Sequence, residues 1–436
     1  MRWDILEDHL NEASFLWTQW ERVLLAPHYS LQEVAGLEER LLAHLDGLVL
    51  GGPEVARRLL QPAIGSDELG CAESAAFCLL AEENDPELEA PSAWIPEDAE
   101  TLAPAMRRAL EVCERPELSA RLTALVKARP PSVQASLVEV LAFRRAHPGD
   151  VLEPLFASGD TAAQASVLRA VARVPVPSGS DLVKRGLGSP SPTVRDAALE
   201  AGLVLGVHEA WSLCQALARA HEPTAGRARL LCAMSGEPDN EAWLVEALQR
   251  PGLRRDALEA AAFSGRRALA DACLPLMRDE ALAPLAGEAF SAITGLVLEK
   301  DLVAERRPEQ DTLPPLEEDL DTDLQLRPED ALPIPNPDAV ERWWSRTRPG
   351  FDPQLRYLRG HPFTMERLIS ELETGPMRRR ASLALELAIR SRGEHWLPVR
   401  AFTGAQVRAL KQARVKPPPS GTMPFRSLLG RTWRAG

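Results

Sequence analysis

SPTVRDAALEAGLVLG, residues 191–206, opens on a Ser-Pro turn and continues with small and branched apolar residues at helical spacing around one arginine, Arg195. Apolar residues recurring every three or four positions mark an amphipathic helix. The same helix is written again further on. Aligned on Val194, VRDAALEAGLVLG matches LRRDALEAAAFSG from Leu253, with Arg195 over Arg254, Leu199 over Leu258, Glu200 over Glu259 and Gly206 over Gly265. Weaker copies start at Val133 (VQASLVEVLAFRR), Ala163 (AQASVLRAVARVP), Thr224 (TAGRARLLCAMSG) and Ala283 (APLAGEAFSAITG). The six starts are separated by 30, 31, 30, 29 and 30 residues.

A second amphipathic segment lies between successive copies: DVLEPLFASG from Asp150, SDLVKRGLGS from Ser180, EAWSLCQALARA from Glu209, EAWLVEALQR from Glu241 and LADACLPLMRD from Leu269. Trp211 and Trp243 occupy equivalent places in two of them, 32 residues apart. Proline and glycine fall between the helices, where starts and stops need them. Paired helices at a period of about 30 residues predict an all-α chain and an α-solenoid, in which each pair buries its apolar face against its neighbours.

The pattern V-R-x-A-A-L-x-A after a proline turn resembles HEAT-like repeats, over roughly residues 40–296 and again 362–393. In such repeats the arginine bridges to an acidic or backbone acceptor of the adjacent repeat. The resemblance therefore implies structural roles for Arg195 and Arg254, and Trp211 and Trp243 are read as repeat residues too. The expected organisation is a capping helix over 1–34, a HEAT-like array over 35–298, an acidic Pro-rich linker over 299–338, helical repeats over 339–394 and a basic tail over 395–436.

In the capping helix Leu6, Leu10, Trp17, Trp20 and Leu24 share one side, which suits the end of a repeat array better than a partner hot spot. Residues 309–330, EQDTLPPLEEDLDTDLQLRPED, hold nine acids, one base and three prolines, too little apolar surface to fold alone. Within them Asp319, Asp321, Asp323 and Asp330 imitate the spacing of a calcium loop. Leu324 stands where that loop needs glycine, however, and Arg327 where it needs a ligand. From His395 onward there are eight Lys or Arg and no acid, so these 42 residues carry +8 and the preceding 394 carry −21. The tail reads as a solvated segment attracted back to the acidic linker or solenoid surface, in preference to a basic docking strip for an acidic partner.

The net charge of −13 disfavours nucleic acid, since phosphate contacts need a basic surface. No apolar run reaches the roughly 20 residues of a membrane helix, and the acidic N-terminus lacks the pattern of a signal peptide, so the expected location is cytoplasmic. Cys71, Cys78, Cys113, Cys214, Cys232 and Cys273 are scattered without ligand spacing and read as small core residues. The eight histidines are solitary, and no phosphate loop, zinc motif, nucleophile elbow or dinucleotide fingerprint occurs. No catalytic residue, cofactor or metal ligand is assigned, and the chain is read as non-enzymatic.

A wider resemblance rests on LEERLLAHLDGLVLGGPEVARRLL, LAGEAFSAITGL, the acidic interruption, LPIPNPDAVERWW, RYLRGHPFTMERL and MRRRASLALELAIRSRG. Together these look like a bacterial family of HEAT-like proteins without an assigned activity, found in myxobacteria and pseudomonads and associated with type VI secretion. The resemblance implies a protein-interaction scaffold, an adaptor or effector-loading factor whose partner is a secretion spike, tip or toxin protein. Candidate contacts are Trp343, Trp344 and Arg346 and, in the tail, Arg426, Arg431 and Arg434. The alternative is a nucleic-acid binder or DNA glycosylase-like enzyme, since some glycosylases and bilin lyases use such scaffolds.

Overall fold

The computed structural model describes residues 1–82, 95, 100–220, 222–304, 327–418 and 421–429. The chain is all-α, as the periodicity predicts. Among the described residues the only paired strands are β1 (Tyr357–Leu358) and β2 (His361–Pro362), a two-residue antiparallel ladder. The chain divides into unit 1, Met1–Leu25, Tyr29–Cys214 and Ile369–Gly436, and unit 2, Ala26–His28 and Gln215–Leu368. Among the described residues no helix is long and apolar enough to cross a membrane.

Unit 1 begins with α1 (Trp3–Val23), α2 (Leu31–Val49) and α3 (Leu69–Ala81). It continues through α4 (Pro104–Val112), α5 (Leu118–Val126), α6 (Pro131–Phe143), α7 (Leu152–Ala157), α8 (Thr161–Arg173), α9 (Gly179–Leu187), α10 (Pro192–Leu205) and the start of α11 (His208–Arg219). The first helices of successive copies pack side by side, α4 on α6, α6 on α8 and α8 on α10, while α5, α7 and α9 each pack on the helix that follows.

Unit 2 holds α12 (Gly226–Met234), α13 (Asn240–Gln249), α14 (Arg254–Ser264), α15 (Arg267–Cys273), α16 (Ala283–Thr294), α17 (Pro337–Thr347) and the start of α18 (Met365–Thr374). Here too α12 packs on α14 and α14 on α16. Residues 303 and 335, either side of the acidic stretch, are joined by an antiparallel bridge, with Ala304 N donating to Ile334 O at 2.9 Å and Asn336 N to Leu302 O at 2.8 Å. Asp319, Asp321 and Asp323 lie outside the described residues. The chain then returns to unit 1 as α19 (Arg380–Arg390) and α20 (Thr403–Val415).

The register of the copies is written in the backbone. The thirteenth position of five copies turns left-handed: Arg145 (φ 55°), Gly206 (73°), Gly236 (80°), Gly265 (65°) and Gly295 (77°). Such a residue just past a helix end lets the next amide reach back to the last carbonyls. Ala146 N accordingly donates to Leu141 O and Val207 N to Gly202 O, both at 2.8 Å. The copy starting at Ala163 has Pro175 in this place, whose ring fixes φ negative, and its helix ends instead in extended backbone at Val174 (φ −127°).

Arginines bind the carbonyls at helix ends one copy away. Arg115 donates to Leu80 O (3.1 Å) and Glu82 O (3.3 Å), Arg144 to Leu110 O and Arg115 O (both 3.1 Å), and Arg266 to Gly236 O (2.9 Å). A guanidinium offers five donors in a planar fork, so one side chain can satisfy several orphan carbonyls at a helix end. A lysine's single ammonium could not span them.

Candidate interaction sites and the buried charge seam

The segment read as a basic tail is part of unit 1 over its described length. After α19 the chain turns through Arg392 (φ 57°) and Gly393 (φ 79°) and runs along the N-terminal helices into α20. Leu397, Leu410, Ala413, Phe425 and Leu428 are buried. Phe402 stacks on Trp20 at 4.7 Å between ring centroids and meets Trp17 and Phe77 edge-on. Trp17 and Trp20 of the capping helix are thus core residues covered by the chain's own C-terminal region. The basic charges find acids outside the segment, two of them far off in sequence: Arg400 pairs with Glu21 and Arg408 with Glu114, while Arg414 pairs with Glu373 and Lys416 with Glu394.

Beneath this segment lies a seam of buried charge. Arg108 binds Glu21 and Glu111 and donates through Nη2 to Arg400 O at 2.6 Å. Glu139 accepts from Arg107, from Arg169 and from Ser166 Oγ at 2.8 Å. Laid in register, Arg108, Glu139, Arg169 and Glu200 follow one another at intervals of 31, 30 and 31 residues, so one repeat position alternates in sign along α4, α6, α8 and α10. Burial pushes the Glu139 carboxyl up, but Arg107 and Arg169 outweigh it and hold the group below its ordinary value.

Two other carboxyls are shifted the opposite way. Burial pushes Glu73 up to about 7, and the nearby Glu21 carboxylate adds to the rise. Glu38 is also raised by burial, although Thr403 N (2.7 Å), Thr403 Oγ1 (2.6 Å) and Trp20 Nε1 (2.7 Å) all donate to it. These donors fix the start of α20 to α2 and α1. The chemistry is that of a structural clamp. Among the described residues no group of three or more His, Cys, Asp or Glu could hold a metal ion.

Trp344 is a core residue of unit 2, 2% exposed, with its indole N–H donating to Asp271 Oδ1 at 2.7 Å and its ring edge-on to Phe290. Burial removes it as a partner contact. Trp343 stacks on it, partly buried. Arg346 is exposed, its Nε donating to Arg342 O at 3.2 Å, and Arg426 is exposed too. Arg431 and Arg434 lie outside the described residues.

Arg195 donates to Ser189 O (3.2 Å) and Pro190 O (2.8 Å), and Arg254 to Leu248 O (3.3 Å) and Gln249 O (3.5 Å). Arg254 binds backbone at the end of α13, and Arg195 binds the turn just past α9. Trp211 is buried against Phe425, whereas Trp243 is half-buried and donates to Asn240 Oδ1 at 3.2 Å. All six cysteines are free thiols, five of them buried.

The link from the seam to the C-terminal segment carries no motif spacing, since Arg108 and Arg400 are 292 positions apart. The alternating signs at one repeat position were the available signal.

No family model matches this chain, and no curated protein matches it. One solved structure, a crystal structure of an engineered protein from a structural genomics consortium, aligns over 87% of this chain and 99% of its own, at 15% identity and a TM-score of 0.28. A TM-score that low establishes no shared fold.

Proposed function

We propose that this chain is a non-enzymatic protein-interaction scaffold, an α-solenoid of HEAT-like helix pairs. On the sequence resemblance to the bacterial family, its partner is a spike, tip or toxin protein of a type VI secretion system, for which it acts as adaptor or effector-loading factor. One observation supports the scaffold reading best: helix-end corners already hold other parts of the chain through their backbone carbonyls. In unit 2, Tyr357 N donates to Gly265 O at 2.7 Å, and Arg359 N and Gly360 N donate to Ala292 O and Ile293 O, both at 2.9 Å. Arg356 adds a bond to Phe263 O at 2.8 Å. In unit 1, Arg392 reaches Leu205 O. A peptide that presents amides and arginines to such a row needs no catalytic group.

The test is purification of the tagged full-length chain from its native host at low and high salt, with co-purifying proteins identified by mass spectrometry. Recovery of a spike, tip or toxin protein supports the adaptor reading, and its loss on R346E or R426E assigns the contact. Truncation after residue 429 tests Arg431 and Arg434 while sparing the buried part of the C-terminal segment. Recovery of nucleic acid alone, or of nothing at either salt, overturns the reading.

A further inference from the structure

Unit 1 contains a cavity of about 580 Å³ between the end of α6 and the segment that joins α19 to α20. Small-molecule sites commonly enclose roughly 300–1,000 Å³ and combine apolar walls with a few placed polar groups. Phe143, Trp396 and Leu397 supply apolar wall here, and Arg145, His395 and Arg408 line the same space. Arg173 lies over the Trp396 ring, 5.2 Å from its centroid, and steadies it. His395 is held by a 2.6 Å contact from Nε2 to Lys416 O. Arg144 also lines the cavity, but it is engaged by the carbonyls at the end of α4. The lining residue Glu394 is paired with Lys416 at 2.6 Å.

Two arginines could turn to a ligand, one because its bonds are long and the other because its ion pair is exposed to solvent. Arg145 makes bonds to Gly393 O and Glu394 O at 3.3 and 3.4 Å, at the long end of the useful range. Arg408 pairs with Glu114 at the surface, where both side chains are more than half exposed. The identity of Arg145 is itself an anomaly. Of the five copies that turn left-handed at the thirteenth position, four use glycine, and the one that departs, Arg145, borders the cavity. A strained residue retained where its equivalents are unstrained points to a use for its side chain. In a chain of net charge −13, this cavity is lined by three arginines and one glutamate.

We propose that the cavity binds an organic anion, with a flat apolar body against Trp396 and a terminal phosphate or carboxylate held by Arg145 and Arg408. The site stands on the chemistry of unit 1 and does not depend on what partner the surface holds.

The probes are 1-anilinonaphthalene-8-sulfonate, a flat aromatic anion, and its uncharged analogue N-phenyl-1-naphthylamine, titrated by fluorescence into the full-length chain. The anion binds saturably with one site per chain. R145G weakens it by about tenfold or more, a loss of about 1.4 kcal/mol, leaves the uncharged probe unaffected, and does not lower Tm, because glycine is the residue the other corners use. R408A, which removes an exposed side chain, gives the same loss. Displacement by adenosine monophosphate assigns a phosphate ligand and displacement by benzoate a carboxylate; displacement by neither overturns the proposal. So does non-saturable binding, equal loss of both probes in R145G, or unchanged anion affinity in R408A. If R145G lowers Tm, Arg145 is a structural cap and R408A alone decides.

Discussion

Glu73 and Glu139 are both buried carboxylates of unit 1, yet their neighbours send them in opposite directions. Glu73 has its folded value raised from 4.5 to about 7, so between those two values the folded chain binds more protons than the unfolded one. Stability therefore falls as pH rises through this window, by a total on the order of 2–3 kcal/mol. The variant E73Q removes the titrating group, and denaturant unfolding at pH 5 and pH 8 should show it gaining on the parent chain at the higher pH. An unchanged difference between the two pH values would mean that Glu73 is ionised throughout. Glu139, held below its ordinary value, contributes in the reverse sense: its pairing stabilises at neutral pH and is lost as pH falls through its folded value. E139Q should consequently cost stability at pH 7, by about 1–2 kcal/mol because Arg107 and Arg169 are each partly exposed.

At the scale of elements, the decisive feature is the helix-end corner. The match of Gly206 to Gly265 was legible by laying two stretches of sequence over each other, and so was the period that makes the chain all-α. The reason for glycine was only half legible. A left-handed turn accounts for part of it; at Gly265 a side chain would also meet the backbone of Tyr357, 92 residues away in sequence. G265A should therefore cost about 2–4 kcal/mol, combining the left-handed penalty with a clash against backbone that cannot yield. Gly252, two residues before the start of α14 but in open space and without positive φ, serves as control, and G252A should change stability by no more than about 0.5 kcal/mol. Thermal unfolding of the two variants checks this, and equal effects would remove the corner as the cause. Pro175 and Arg145 show why the pattern blurs in sequence: one copy abandons the corner and another fills it with a bulky residue.

At the scale of the whole chain, the charge polarity was legible, −21 against +8, but its meaning depended on contacts between residues hundreds of positions apart. A run without acids looks like a solvated tail because its partners, Glu21 and Glu114 among them, cannot be found locally. The apolar residues inside that run, Leu397, Phe402, Leu410 and Phe425, were the better guide. The two readings of what holds the segment predict different responses to salt. Exposed ion pairs contribute about 0–1 kcal/mol each and are screened at high ionic strength, whereas apolar burial is not weakened by salt. Limited proteolysis in 0.05 M and 0.5 M sodium chloride should therefore leave 395–418 protected in both. F402A, which opens the aromatic cluster on Trp17 and Trp20, should expose it even at low salt and lower stability by about 2–3 kcal/mol, less than a fully buried phenylalanine because Phe402 keeps some exposure. Cleavage that appears in the parent chain on adding salt would instead mean that charge alone holds the segment. A segment held by burial belongs to the fold of unit 1, and a partner must then bind around it.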